Sequence, residues 1–255
     1  MMRKLGALMG AFGLVAAGPA LALNICVEGA YPPFSETAAD GSIVGFDPDI
    51  ANALCAEIGE TCEMVKVDFD GIIPALLEKK CDAIVASMSA TDERKQVIDF
   101  TGRYYLEPNR FVAPADSGLE DTPEGLAGKV VGVQRGTIHQ NYMEAHFPDT
   151  ELRLYGTQDE MMLDLTAGRI DAVMASGVAL EGGFLKTPAG EGYAFVGEEH
   201  YDPAIHGTGA AIGVRKEDTE LRDRLSAAIA AIRADGTYDE IRAKYFEFDI
   251  YGGES

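Results

Sequence analysis

Arg94 closes the stretch Ser87-Met88-Ser89-Ala90-Thr91-Asp92-Glu93-Arg94, whose residue types suggest the most specific chemistry in the chain. Thr91 suits a helix N-cap and Asp92 and Glu93 suit a first turn. Arg94 then falls at the third helical position, beside the free backbone N–H groups. A helix N-terminus next to a guanidinium is a receptor for a carboxylate, because a bidentate charge-assisted pair is strong and directional. The competing reading pairs Arg94 with Glu93 or Asp99 on the surface. GVQRGTIHQ offers a second anion site, where a strand ending at Val133 meets Gly136-Thr137 just before a helix. It is not a phosphate loop of the G-x-x-x-x-G-K-[ST] kind. Glu28 ends the first strand, where a carboxylate can meet a ligand cation, and Tyr31 and Phe69, each flanked by turn residues, can sandwich an aliphatic stem. No G-x-S-x-G elbow is present, and the four histidines (139, 146, 200, 206) show neither a nucleophile partner nor metal-ligand spacing. No metal and no cofactor are expected.

The elements that must position these groups alternate. Ile25 to Val27 reads as a strand; Asp47-Pro48 opens a helix, Asp47 as N-cap and Pro48 at the first helical position; Ile50, Leu54 and Ile58 share one face. A strand near Glu63 to Val67, a helix from about Gly71 to Glu78 and the strand CDAIVAS follow. The second half repeats the plan: strand Lys129 to Val133, a helix after Gly136-Thr137, strand Leu152 to Tyr155, a helix from Gln158 to Ala167, and strand IDAVMAS. The predicted class is α/β with mostly parallel sheets. LLEKKCDAIVAS (Leu76 to Ser87) aligns without a gap on LTAGRIDAVMAS (Leu165 to Ser176). Ligands of open parallel sheets sit at the carboxyl ends of strands, so Ser87 and Ser176 would face one another across a cleft.

The 255 residues carry 21 Lys+Arg against 42 Asp+Glu, a formal charge of −21. That balance argues against nucleic-acid binding and adhesion to anionic membranes. Arg3 and Lys4, the apolar run Leu5 to Ala17 and the site Ala20-Leu21-Ala22 read as a secretory signal peptide over residues 1–22, cleaved after Ala22. Export to an oxidising compartment makes a Cys55–Cys62 disulfide the default. Cys26 and Cys81 form a second bridge if their strands are neighbours.

Beyond these separate features, the chain after the leader resembles the periplasmic amino-acid-binding proteins of ABC importers (solute-binding family 3), nearest to the lysine/arginine/ornithine, histidine and opine branch. The landmarks are AYPPF, GFDPDIANALC, DFDGIIPALL, CDAIVASMSATDERKQVIDFT, GKVVGVQRGT, LTAGRIDAV, GFLKTPAG and DGTYDEIRAKYFEFDIYG, in order over nearly its whole length. The resemblance implies a type II two-lobed fold, each lobe a mostly parallel sheet flanked by helices with the ligand cleft between them. Lobe 1 would take residues 23–107 plus 213–255 and lobe 2 residues 108–212, with hinge strands at the junctions.

By the same resemblance Arg94 takes the α-carboxylate with the backbone of Ser89 and Thr137. The Ser89 hydroxyl meets the α-amino group, Tyr31 and Phe69 hold the stem, and Glu28 with Ser87 meets a distal cation. Met88, Gln134, Ile138, His139 and Ser176 complete the expected contacts. Several of these depart from the family. Ser176 stands where basic-amino-acid binders carry aspartate, and Glu28 reaches one methylene further than the aspartate of several relatives. Ala86, Gln134, Ile138 and His139 also differ. The implied function is a monomeric periplasmic receptor for a cationic amino acid, delivering it to a permease in the inner membrane. A receptor for opines or other N-substituted amino acids is the alternative, and a dehydratase of prephenate-like substrates using Glu28 or His139 as general acid is the remote one.

Overall fold

The computed structural model describes residues 22–106 and 108–252. All of the expected leader except Ala22 lies outside them.

Two lobes are each built on a five-stranded sheet. In lobe 1 the order is Thr61–Lys66, Ala22–Val27, Ala83–Ile84, Ala210–Val214, Asp99–Tyr105. In lobe 2 it is Glu151–Tyr155, Val130–Gln134, Ala172–Ser176, Asn109–Pro114, Tyr193–His200. The first three strands of each run parallel, and the last two pairings of each are antiparallel. The sheets are therefore mixed rather than mostly parallel, and the connectivity explains why. Asn109–Pro114 and Ala210–Val214 each arrive from the other lobe, so each enters its sheet at the cleft edge and must run against the strands already there.

Period-two alternation gives every central strand two apolar faces. Ile25, Val27, Ala83 and Val85 pack into one core of lobe 1, and Cys26, Ile84 and Ala86 into the core on the opposite face. Lobe 2 repeats this with Phe111, Ala113 and Val131 on one side and Val112, Val173 and Ala175 on the other. The pairing Cys26↔Ile84 brings Cys26 alongside the strand that Cys81 leads into, and both disulfides, Cys26–Cys81 and Cys55–Cys62, are present.

One expected cap is not there. The helix Phe46–Glu57 starts before Asp47, its capping residue is Gly45, and no side chain caps it. Gly45 has φ 130°, and a Cβ there would lie 2.4 Å from the Phe34 carbonyl oxygen, so close backbone approach selects glycine at that point. Asp47 instead turns its carboxylate inward, to the hydroxyls of Ser87 and Tyr104.

Candidate functional site

Strand ends and the turns that follow them converge between the lobes on a cleft of ≈ 590 Å³, including the part open to solvent. Lobe 1 contributes Glu28, Tyr31, Phe69, Ser87, Ser89 and Arg94, and lobe 2 contributes Gln134, Thr137, Ile138, His139 and Ser176.

Arg94 sits in the single helical turn Asp92–Lys95, and the Thr91 side chain accepts a hydrogen bond from its backbone N–H. Its guanidinium donates to the Ser89 carbonyl at 2.9 Å and, across the cleft, to the Gly136 carbonyl at 2.9 Å, and it lies 5.4 Å from the centre of the Phe69 ring. Burial draws Arg94 down to about 10, which leaves it charged at neutral pH. The surface pairing with Asp99 does not occur, since Asp99 is taken by Arg222 at 2.5 Å. A guanidinium has five N–H donors, so the two carbonyl bonds leave donors for a carboxylate. Thr137 caps the helix Ile138–His146.

Glu28 is 3 % exposed and follows the strand Ala22–Val27 directly. Its Oε1 accepts from the Gln134 amide of the other lobe at 2.5 Å, and the same amide donates to the Gly156 carbonyl at 3.0 Å. Burial pushes Glu28 up to about 7, the Gln134 hydrogen bond opposes this, and the charges of Asp47, Asp68 and Asp159 add to the rise. No ion pair involves it among the described residues, so a ligand cation would be its first compensating charge. Arg135 and Asp70 form a further bridge between the lobes at 3.0 Å.

Met88 does not line the cleft. Ser87 and Ser89 face it, while the residue between them points the other way and is buried in the lobe 1 core with Ile72 and Phe100. Side chains alternate along an extended run, so a residue between two cleft-facing serines turns into the core.

Three cleft residues with polar groups escaped the sequence reading, Tyr105, Asn109 and His206. The Asn109 amide contacts the ring nitrogens Nε2 of both His139, at 2.9 Å, and His206. Asn109 also pairs in register with Ser176. Only that pairing could have pointed to Asn109, and it follows from a strand crossing that leaves no local motif. Burial, with help from His206 and Arg94, pulls His139 down to about 3, so its ring is neutral at physiological pH. Ser176 caps the short helix Gly177–Leu180, its Oγ accepting from the Ala179 N–H at 3.1 Å. Among the described residues, no acid lines the cleft on the lobe 2 side.

Residues 23–248 match the bacterial extracellular solute-binding proteins, family 3. The chain belongs to this family. It is 49% identical over 258 residues to the L-arginine-binding protein of Pseudomonas aeruginosa, covering 98% of this chain and 99% of that one. It is 42% identical over 233 residues to the histidine-binding periplasmic protein of Escherichia coli K12, covering 91% and 90%. Among solved structures, a Salmonella typhimurium periplasmic binding protein studied for its high arginine specificity superposes with a TM-score of 0.83 at 32% identity, covering 89% of this chain and 100% of that one. These relatives are binding proteins, and the fold is the type II two-lobed fold of periplasmic receptors. No helix of the described residues is long and apolar enough to cross a membrane.

Proposed function

We propose that this family 3 protein is the receptor of an ABC importer for a cationic amino acid, of the arginine and lysine kind, held in the periplasm after removal of its leader. The observation that carries this reading is a buried, uncompensated Glu28 in the same two-lobed cleft as a charged Arg94. A ligand with a carboxylate and a distal cation completes both, and the aromatic rings of Tyr31 and Phe69 suit the aliphatic stem between them. Because the walls come from both lobes, such a ligand bridges them and selects the closed form over the open one. The strands that cross between the lobes would serve as the hinge, and the loaded, monomeric receptor would then dock on its permease. The arginine- and histidine-binding relatives support the ligand class.

A second reading, a receptor for opines or other N-substituted amino acids, is favoured by one feature. The lobe 2 wall meets the ligand's amine with Ser176, Asn109 and His139, none of them anionic. A neutral wall does not demand a primary ammonium. Calorimetric titration of the purified chain with arginine, lysine, histidine, octopine, nopaline, glutamate and glutamine separates the two. Tight binding of a basic amino acid supports the first reading, octopine or nopaline binding without arginine supports the second, and a response to glutamate or glutamine alone overturns both.

A further inference from the structure

Asp47 lies outside the cleft lining, yet it is bonded to a residue within it. Its carboxylate has 0 % exposure and no cation among its partners; both oxygens are held by hydroxyls. Tyr104 donates to Oδ1 at 2.7 Å and Ser87 donates to Oδ2 at 2.8 Å. The loop closes on itself, because the Ser87 backbone N–H donates to the Tyr104 oxygen at 2.9 Å. Ser87 holds φ 54°, a left-handed conformation that a residue with a side chain seldom adopts, and these bonds hold it there.

The direction of each bond has a chemical consequence. Burial raises Asp47 to about 7 against the pull of the two hydroxyls, so the free protein holds it partly ionised and a cation in the cleft draws the remaining proton off. An ionised carboxylate only accepts, so Asp47 then takes the hydroxyl protons of both Ser87 and Tyr104. Burial and the neighbouring Asp47 charge push the Tyr104 phenol well above its usual range, so it stays a donor. Ser87 Oγ then has only lone pairs to offer the cleft. It becomes an obligate acceptor, with a negative charge directly behind it and Glu28 close enough to feel that same charge.

We infer that Asp47 is a positioning residue and the hidden second carboxylate of the cation subsite, acting through Ser87 to select a charged ligand end group over a neutral one of the same shape. This rests on the cationic-amino-acid reading and adds a residue to it. A purely structural role, tying the helix Phe46–Glu57 to the bend at Ser87, would affect all ligands alike.

L-arginine and L-citrulline, which share shape but differ in that charge, separate the two roles. Their affinities are to be measured by equilibrium competition on the wild-type chain and on Asp47→Asn, which keeps size and loses charge. The expected result is a loss of arginine affinity of about tenfold or more, the scale of a charge-assisted hydrogen bond, with citrulline changed less than about threefold. Equal weakening of both ligands, or of neither, overturns the inference. Should Asp47→Asn not fold, Ser87→Ala carries the test, since removal of the acceptor must cost arginine more than citrulline, and equal losses overturn the inference as well. Failure of the wild-type chain to bind arginine or lysine at all removes the cationic reading itself, a result distinct from either.

Discussion

Ser87 and Ser176 occupy the same place in the two halves of the internal repeat, Ser176 closing the strand Ala172–Ser176 and Ser87 three residues beyond Ala83–Ile84, and both line the cleft. Their hydroxyls have opposite polarity. Ser87 gives its proton to Asp47 and faces the cleft as an acceptor, whereas Ser176 accepts from the Ala179 N–H and keeps its proton to donate. The walls around them differ in the same sense. Lobe 1 brings the charges, Glu28 and Arg94 with Asp47 behind, and lobe 2 brings neutral groups such as Gln134, Thr137, Asn109 and His139. A repeated backbone plan therefore fixes where a side chain points without fixing what it says to a ligand; the next layer of hydrogen bonds decides that.

If charge recognition belongs to lobe 1, its loss there should be the most damaging. Arg94→Ala should weaken amino-acid binding by at least about 100-fold in calorimetry, as removal of one partner of a buried charge pair does. Survival of binding within a few fold would place the carboxylate elsewhere. Glu28→Gln should cost a cationic ligand roughly 10- to 100-fold while leaving a neutral ligand nearly untouched, and an equal loss for both would deny Glu28 a role in charge. Ser176→Asp makes the lobe 2 wall resemble its partner. Arginine affinity should then rise by about tenfold in a competition assay, while an N-substituted ligand should lose affinity; a fall for arginine would mean that Ser176 does not meet the amine.

The smallest expected effect is on the stability of the ligand-free protein. Glu28 and Asp47 both stand at about 7, above ordinary values of 4.5 and 3.8, chiefly through burial. The native state thus holds these protons more tightly than the unfolded chain does. Stability is full while both states are protonated and falls as pH rises from about 4 to about 7, after which it levels. His139, buried neutral, acts in the opposite sense up to about pH 6.5, so the comparison is with Glu28→Gln: between pH 5.5 and pH 7.5 the Tm of the free wild-type protein should fall by a few degrees relative to that of the variant. A wild-type Tm that holds or climbs relative to Glu28→Gln over this range would contradict the burial of an uncompensated acid at Glu28.

Much of this could be read from the chain because it is written locally. Alternating apolar runs marked the central strands, and the spacing Cys55–Cys62 marked a bridge. The motif around Arg94 marked a turn with a capping threonine. The missed features are those whose partners are distant in sequence. Asp47-Pro48 has the local form of a helix cap, but the carboxylate is claimed by hydroxyls 40 and 57 residues away. Asn109 joins His139 and His206 only because a crossing strand pairs with Ala172–Ser176. The antiparallel halves of both sheets have the same origin.

Those crossing strands also set an order of assembly. Every strand of the lobe 2 sheet lies within residues 109–200, so that sheet can close from one uninterrupted stretch of chain. Asp99–Tyr105, by contrast, has Ala210–Val214 as its sole neighbour in the lobe 1 sheet. A polypeptide emerging amino end first would hold the unfinished edge of its first lobe open until the second has been made, and the last segment to arrive locks the first to appear.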